Sequence, residues 1–455
     1  MDDIYLIPIV GKYLLYSPLH HLAALMDRQA VELIRAGLQR QATLPNILEP
    51  IAKQLLSTGI PSPAVRTGLL DDPLFLGIIP TRNCNLGCRY CDFVAPTFDG
   101  PVMSLDIARQ AIDAYLRLLK SVGRDSGEIH FFGGEPFLAM DVVQFVMGYA
   151  TLRAAQLKLN MHFEAITNGV YNRNSCRWIA DYFDTIILSL DGPADIQGYQ
   201  RPARNGRNPF STIVRNAKIF SDSNVEFIIR VCVTSQTVER LAEIAVWLGQ
   251  DFHSSTICFE PLTESRLSRE AGLVPPSPWD FARHFVDATR VLEMYGIETV
   301  FSTTNLQNIQ TSFCPVGKDA LIVSPDGTLN ACYLLPEDWS RSDLDLRFGR
   351  VAKDEFEIDY QALQRIRSLS VNHKALCSNC LCRYHCSGGC HVNHNPSRLH
   401  CYDDLCIQTR LITIAKLLSQ MNQVDLVQEW LANRPAMETS VLQRTDQLFS
   451  LELDR

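Results

Sequence analysis

The stretch LFLGIIPTRNCNLGCRYCDF, Leu74 to Phe93, joins a short apolar run to a loop bearing three cysteines. The run LFLGIIPT has the composition of a buried strand, and Cys84, Cys88 and Cys91 follow it in Cys-x3-Cys-x2-Cys spacing. Three thiolates this close on one loop can hold three corners of a cubane iron–sulfur cluster and leave the fourth iron without a protein ligand. A tetrahedral zinc site needs a fourth cysteine or histidine, and the neighbouring Asn83, Asn85, Arg89 and Asp92 supply none.

Downstream, β-rich runs alternate with helical patterns. EIHFFGG, MHFEAITNG, TIILSLDG, VEFIIRVCVT and SSTICFEPL read as strands buried on both faces. They are separated by segments such as AMDVVQFVMGYATLRAAQLK, NSCRWIADYF, PFSTIVRNAKIF and VERLAEIAVWLGQ, which carry helical periodicity. Six βα units fit between Leu74 and Ile297, which predicts an α/β fold: a partial (β/α)6 TIM-like barrel with its chemistry at the C-terminal strand ends.

The flanks differ in character. Residues 1–72 read as a small N-terminal α+β domain, a hairpin YLIPIV/KYLLYS around Gly11 followed by two helices, HLAALMDRQAVELIRAGL and LPNILEPIAKQLLSTG. Residues 73–305 form the barrel. Residues 306–410 contain a second hairpin, turned at Asp326-Gly327, and the cysteine-rich stretch CSNCLCRYHCSGGCHVNH, Cys377 to His394. Residues 411–455 read as C-terminal helices. In isolation the Cys377 stretch suits structural zinc, since Cys-x2-Cys followed by histidines can close a tetrahedral shell.

Charge and cysteine usage narrow the function classes. A net charge of -8 leaves no basic field for nucleic acid. MDDIYLIPIV carries two acids where a secretory signal has lysine or arginine, and no apolar run reaches the eighteen or so residues of a membrane span. The expectation is a cytoplasmic protein without membrane partners, in which the fifteen cysteines serve as metal ligands and free thiols.

The loop at Cys84, Cys88 and Cys91 resembles the signature of radical S-adenosylmethionine (SAM) enzymes, in which SAM chelates the open iron of a [4Fe-4S] cluster. The resemblance implies that Tyr90 lies near the adenine and that Gly133, Gly134 and Glu135 of GGEP meet the SAM amino group. Asn168, in Thr167-Asn168-Gly169, stands at the next strand end. Ser189 and Arg201 in SLDGPADIQGYQR resemble the hydroxyl and guanidinium that hold ribose and carboxylate, although Gln197 and Gly198 replace the family's His-Asp pair. Arg230 reads either as a salt-bridged structural arginine or as a SAM contact.

The later cysteines are similar in spacing to the seven-cysteine SPASM domain, which carries two auxiliary [4Fe-4S] clusters. By that resemblance one cluster takes Cys377, Cys380, Cys386 and Cys406, with Cys401 as rival to Cys406. The other takes Cys314, Cys332 and Cys390, with either an open iron or a distant fourth ligand such as Cys258. Cys176, Cys232 and Cys382 are assigned as buried thiols, and His385, His391 and His394 as neighbours of ligands or surface groups.

The resemblance implies a radical SAM oxidoreductase that removes a hydrogen atom through a 5'-deoxyadenosyl radical. Auxiliary clusters suit a net oxidation, in which the substrate radical gives up a second electron. The first reading is a maturase that installs a carbon–carbon or thioether crosslink on a ribosomally made precursor peptide (RiPP maturation), fed by an external one-electron donor such as flavodoxin or ferredoxin. Residues 1–72 loosely resemble the small domain that captures a leader segment by strand addition; the alternative for them is a cap over an open sheet edge. A second reading is a sulfatase-type maturase oxidising Cys or Ser in a protein. A third is a non-catalytic zinc or electron-transfer protein.

Overall fold

The computed structural model of the chain describes residues 3–39, 43–91, 93, 100–394 and 401–442. The chain opens on an antiparallel sheet of β1 (Tyr5–Ile9), β2 (Lys12–Ser17) and β3 (Leu22–Met26), followed by α1 (Arg28–Leu38) and α2 (Glu49–Leu56). The sequence reading began the first helix at HLAALM. Instead Leu22–Met26 pairs along β2, and the helix starts only after Asp27, whose carboxylate accepts the Ala30 N–H and satisfies one of the donors left open at a helix start.

β1 is buried on both faces, as its unbroken apolar run demands. Ile4 and Leu6 join Val31, Ile34 and Leu55 in a small local core, whereas Tyr5, Ile7 and Ile9 face the main core. This two-sided burial makes the N-terminal sheet a layer of the whole molecule. Side chains fasten it to the cysteine-rich segment: the Tyr384 hydroxyl donates to Asp3 Oδ2 at 3.0 Å, and Tyr16 hydrogen-bonds His385.

The barrel follows as β4 (Leu76–Ile78), α3 (Leu105–Ser121), β5 (Ser126–Phe131), α4 (Met140–Leu157), β6 (Asn160–Thr167), α5 (Arg173–Tyr182), β7 (Thr185–Ser189), α6 (Ala194–Gln200), α7 (Phe210–Ser221), β8 (Glu226–Val233), α8 (Leu241–Asp251), β9 (Thr256–Pro261), α9 (Arg266–Glu270), α10 (Pro278–Glu293) and β10 (Glu298–Val300). Then come β11 (Leu321–Val323), β12 (Thr328–Asn330), α11 (Pro336–Ser340), β13 (Arg347–Ala352), β14 (Glu355–Ile358), α12 (Tyr360–Arg367), α13 (Arg383–Cys386), α14 (Asp404–Gln420), α15 (Val424–Ala432) and α16 (Arg434–Leu442).

One sheet runs β10-β9-β8-β7-β6-β5-β4-β11-β12-β13-β14. It is parallel from β10 through β11 and antiparallel beyond. The second hairpin therefore adds to the edge of β4 and carries the cysteine-rich segment on the barrel's own sheet. Along β8 and β9, Ile229, Val231, Ile257 and Phe259 are buried in the main core. Side chains alternate across a strand, so Arg230, Cys232, Cys258 and Glu260 line the other face, the inside of the open barrel.

The joint between linker, barrel and C-terminal segment is a buried ion pair. Arg367 donates from Nε and Nη2 to the two oxygens of Asp319 at 2.8 and 2.7 Å, both side chains being at most 1% exposed. It also donates to the carbonyls of Gly68 and Leu69. Removing one partner strands a buried charge, so Arg367→Met is expected to lower apoprotein stability by about 3–5 kcal/mol, read from urea unfolding.

Candidate active site and metal centres

The three-cysteine loop leaves the end of β4 and is held from two sides. On one side, Gly87 N–H donates to Pro202 O at 2.8 Å, Arg89 N–H to Gln200 O at 3.0 Å, and Arg204 N–H to Asn85 O at 3.2 Å. On the other, Gly134 N–H donates to Thr81 O at 3.1 Å and Glu135 N–H to Asn83 O at 2.7 Å. A Cβ on Gly133, whose φ is +144°, would lie 2.5 Å from Thr81 O, and one on Gly134 would lie 2.1 Å from Asn83 O. The paired glycines thus admit the backbone of the cysteine loop itself; the sequence reading had them admit the ligand.

Cys84, Cys88 and Cys91 converge. Burial, the Glu135 carboxylate and the Cys91 thiol push the Cys84 thiol up to about 11. Burial raises Cys88 as well, reinforced by Cys91 and Cys84 and opposed by Arg201. The Cys84 sulfur also accepts the Leu86 N–H at 3.4 Å and Asn168 Nδ2 at 3.5 Å. Buried thiols that repel one another's charge call for a cation, which fits a metal cluster as the resident group.

Glu135 is fully engaged by its own chain. Its Oε1 accepts the Phe137 N–H at 3.2 Å and the Thr167 hydroxyl at 2.9 Å, and its Oε2 accepts the Asn168 N–H at 2.8 Å. Burial nevertheless raises its carboxyl to about 7. Asn168 bridges onward from Nδ2 to Asn85 Oδ1 at 2.8 Å. Ser189 closes β7 beside Arg230 in register.

Asp191, which sequence reasoning missed, is the hub of the opposite wall. Fully buried, it accepts the Tyr90 hydroxyl at 2.6 Å, Gln200 Nε2 at 2.8 Å and Arg201 Nε at 2.9 Å on Oδ2, and the Cys232 N–H at 3.0 Å on Oδ1. The Arg201 guanidinium lies 5.1 Å from the centre of the Tyr90 ring. The sign available in the sequence was the carboxylate of SLDG at a buried strand end. Gln197, where the family pattern breaks, accepts the Asp191 N–H at 2.8 Å. Among the described residues Arg230 makes no ion pair, so the salt-bridged reading is set aside.

The C-terminal cysteines form two further groups. Cys377, Cys380, Cys386 and Cys406 line one small cavity of about 20 Å³, together with Cys382, His394, Tyr402 and Arg410. Cys401 is exposed and does not line it. A hydrogen bond from Cys382, with the Arg410 guanidinium 3.2 Å away, holds the Cys380 thiol below its ordinary value. Burial pushes Cys377 and Cys386 up to about 12. His394 stands between Asp403, 2.7 Å from Nδ1, and Cys406, 3.7 Å from Nε2.

The other group is Cys314, Cys332 and Cys390. Burial raises Cys314 to about 12, with Cys390 and Cys332 adding to it. Cys258 stands elsewhere: its thiol donates to Glu260 Oε1 at 3.1 Å, and its charged neighbours are Glu260, Arg230 and Lys416. Arg82, two residues before Cys84, donates to Tyr333 O at 2.7 Å beside Cys332, and so joins the first loop to this group.

Residues 78–248 match the family model described as the radical SAM superfamily. The chain carries a radical SAM domain. It is 29% identical over 345 residues to the serine-type anaerobic sulfatase-maturating enzyme of Klebsiella aerogenes, covering 69% of this chain and 78% of that protein. The cysteine-type anaerobic sulfatase-maturating enzyme of Clostridium novyi (strain NT) is 24% identical, with coverage of 70% and 87%. Among solved structures, native anSMEcpe with bound AdoMet superposes at a TM-score of 0.59 and 20% identity, covering 77% of this chain and all of that one. Streptococcus suis SuiB bound to precursor peptide SuiA gives 0.51 at 17% identity, covering 86% and 95%. These superpositions bear on the fold alone: a mixed α/β chain with a large parallel sheet and a cysteine-rich C-terminal region.

The Glu135 environment sets a pH dependence. Between the ordinary glutamate value and about 7, the unfolded chain holds Glu135 ionised while the folded apoprotein holds it protonated. Folding takes up a proton in that window, so this group's contribution to stability falls as pH rises through it. Glu135→Gln is expected to remove that slope from urea midpoints measured across the window.

Proposed function

We propose that this radical SAM enzyme is a maturase of a peptide substrate. Cys84, Cys88 and Cys91 hold the cluster that binds SAM, and two auxiliary [4Fe-4S] clusters sit on the groups at Cys377 and Cys314. The observation that carries the reading is the gathering of ten buried or half-buried cysteines into three groups. In one of them the four assigned thiols line a single cavity, a ligand count for a cubane, while the fifth cysteine there, Cys382, donates to the Thr413 hydroxyl at 3.4 Å. When bound, the SAM–cluster pair supplies a 5'-deoxyadenosyl radical able to take a hydrogen atom from an unactivated C–H bond.

The chain's own groups do the positioning. Tyr90 and Arg201, fixed by Asp191, form one wall for SAM; Gly133, Gly134, Glu135 and Asn168 form another, and Ser189 stands at the adjoining strand end. The face of β8 and β9 bearing Arg230, Cys258 and Glu260 meets the substrate inside the barrel, where exclusion of water protects a reactive intermediate. The group at Cys314, Cys332 and Cys390, joined to the SAM loop through Arg82, is placed to take the second electron of a net oxidation. An external one-electron donor of the flavodoxin or ferredoxin class, in a reducing cytoplasm, completes the cycle.

A crosslinked precursor peptide is the favoured product. Its support is the N-terminal sheet, whose strand β3 has a partner only on the β2 side among the described residues and so offers an edge for a leader strand. The sulfatase-type alternative, oxidation of a Cys or Ser to an aldehyde, is favoured by the names of the curated relatives. Along the described chain no helix is long and apolar enough to cross a membrane.

Anaerobic reconstitution is expected to give about twelve irons per chain, four for each cubane; about four irons with bound zinc would defeat the auxiliary assignment. Cys88→Ala is expected to abolish 5'-deoxyadenosine formation, and persistence of that product would remove the radical assignment. With a peptide encoded beside the gene, mass spectrometry is expected to show loss of two hydrogen atoms and no reaction with a hydrazide. A hydrazide-reactive aldehyde would move the assignment to the sulfatase-type reaction.

A further inference from the structure

Between the two C-terminal cysteine groups lies a lysine that the sequence reading passed over. Lys374 is 6% exposed, and its Nζ donates to Gly388 O at 2.8 Å. Gly388 stands two residues after Cys386, of the Cys377 group, and two before Cys390, of the Cys314 group. The Lys374 carbonyl in turn accepts the Cys377 N–H at 2.9 Å. The lysine stem packs so tightly on this turn that a Cβ on Gly388, whose φ is +80°, would lie 2.5 Å from Cδ and 2.8 Å from Nζ. A side chain there would displace the ammonium, and only glycine both permits the contact and adopts the left-handed backbone without strain.

Burial lowers the pKa of the Lys374 ammonium, and the charges that favour it are thiols of both groups, Cys377 and Cys386 on one side, Cys314 and Cys390 on the other. The other cations near these thiols belong to a single group. Arg410 reaches Cys380, while Arg82 stands by Cys332 and Lys318 by Cys314. A buried ammonium is expensive, and among the described residues Lys374 has no carboxylate partner. Here it has one carbonyl and, across two cages, an excess of sulfur donors that become anionic when they bind metal.

We infer that Lys374 is the shared counter-cation of the two auxiliary clusters, a positioning residue that draws electrons toward both by favouring their reduced states. The inference rests on the auxiliary clusters of the proposed function and concerns their potentials rather than their existence. One-electron reduction adds a negative charge to a cage, and a fixed positive charge in a low-dielectric wall stabilises that state. Gly388 fixes the distance from Nζ to both cages, so neither cluster can be tuned without the other.

The test is an EPR-monitored redox titration of reconstituted chain carrying Cys84→Ala, Cys88→Ala and Cys91→Ala, which leaves about eight irons on the auxiliary cages. In that background Lys374→Met is expected to disfavour reduction of both cages by about tenfold or more, a fall of about 59 mV or more for a one-electron couple. Lys374→Arg, which keeps the charge, is expected to stay close to the parent. Unchanged potentials in Lys374→Met at full iron content would overturn the inference. So would an equal fall in Lys374→Arg, or loss of iron from Lys374→Met alone, which would assign the residue to cage assembly. Iron near zero in the parent would instead overturn the auxiliary clusters themselves.

Discussion

The hydrogen bond from Glu135 N–H to Asn83 O, 2.7 Å long, is the contact on which the site depends. It requires the turn after β5 to press its backbone against the cysteine loop, and Gly133 and Gly134 are there because any Cβ would collide. Once that contact is made, the Glu135 carboxylate is buried and must be satisfied. Thr167, Asn168 and Phe137 do so, which fastens the end of β6 to the same turn. Asn168 then reaches the Cys84 sulfur and Asn85. Three successive strand ends become one wall because a single close approach leaves no other arrangement of donors and acceptors.

The opposite wall obeys the same logic with the charge reversed in emphasis. Asp191 is fully buried, and a buried carboxylate survives only when hydrogen-bonded and paired. Tyr90 from the cysteine loop, Gln200 and Arg201 from the end of α6, and the β8 backbone all pay that requirement at once. The loop that must hold a cluster is therefore clamped between a carboxylate on each side, while its thiols face inward. On the proposed reading, the two walls hold the groups assigned to SAM in place before any ligand arrives, so little ordering would be left to offset binding.

Much of this was legible in the sequence, for definable reasons. The barrel strands are apolar, β-branched runs; TIILS of β7 is buried along nearly its whole length, whereas β5, β6, β8 and β9 alternate buried with more exposed positions instead of being buried on both faces. The cysteine groups were legible because ligand spacing is a covalent property of the chain. What sequence concealed were matters of partner choice. LAALM reads as helix by composition, yet pairing with β2 makes it a strand. The hairpin at Asp326-Gly327 was readable, but not its parallel pairing with β4, a contact between residues about 245 positions apart. Asp191 and Lys374 were hidden because a charged residue announces exposure, and only the fold reveals that each is enclosed by groups it neutralises.

The three cysteine groups also have an order in space that follows from their cations. Arg82 belongs to the SAM loop by sequence and to Cys332 and Tyr333 by contact. Lys374 belongs to the Cys377 group by backbone hydrogen bonding and to Cys314 and Cys390 by charge. Each cation is buried at a boundary between two groups of thiols, where repulsion between anionic cages would otherwise be greatest. On the proposed reading, the cage at Cys314, Cys332 and Cys390 is then the inner one, adjoining the barrel, and the four-thiol cage is the outer one. On that reading the inner cage would have three thiols of its own, the Cys258 thiol being engaged by Glu260 inside the barrel. The outer cage, with four thiols to hold a cluster, would be the better suited to pass electrons to a partner.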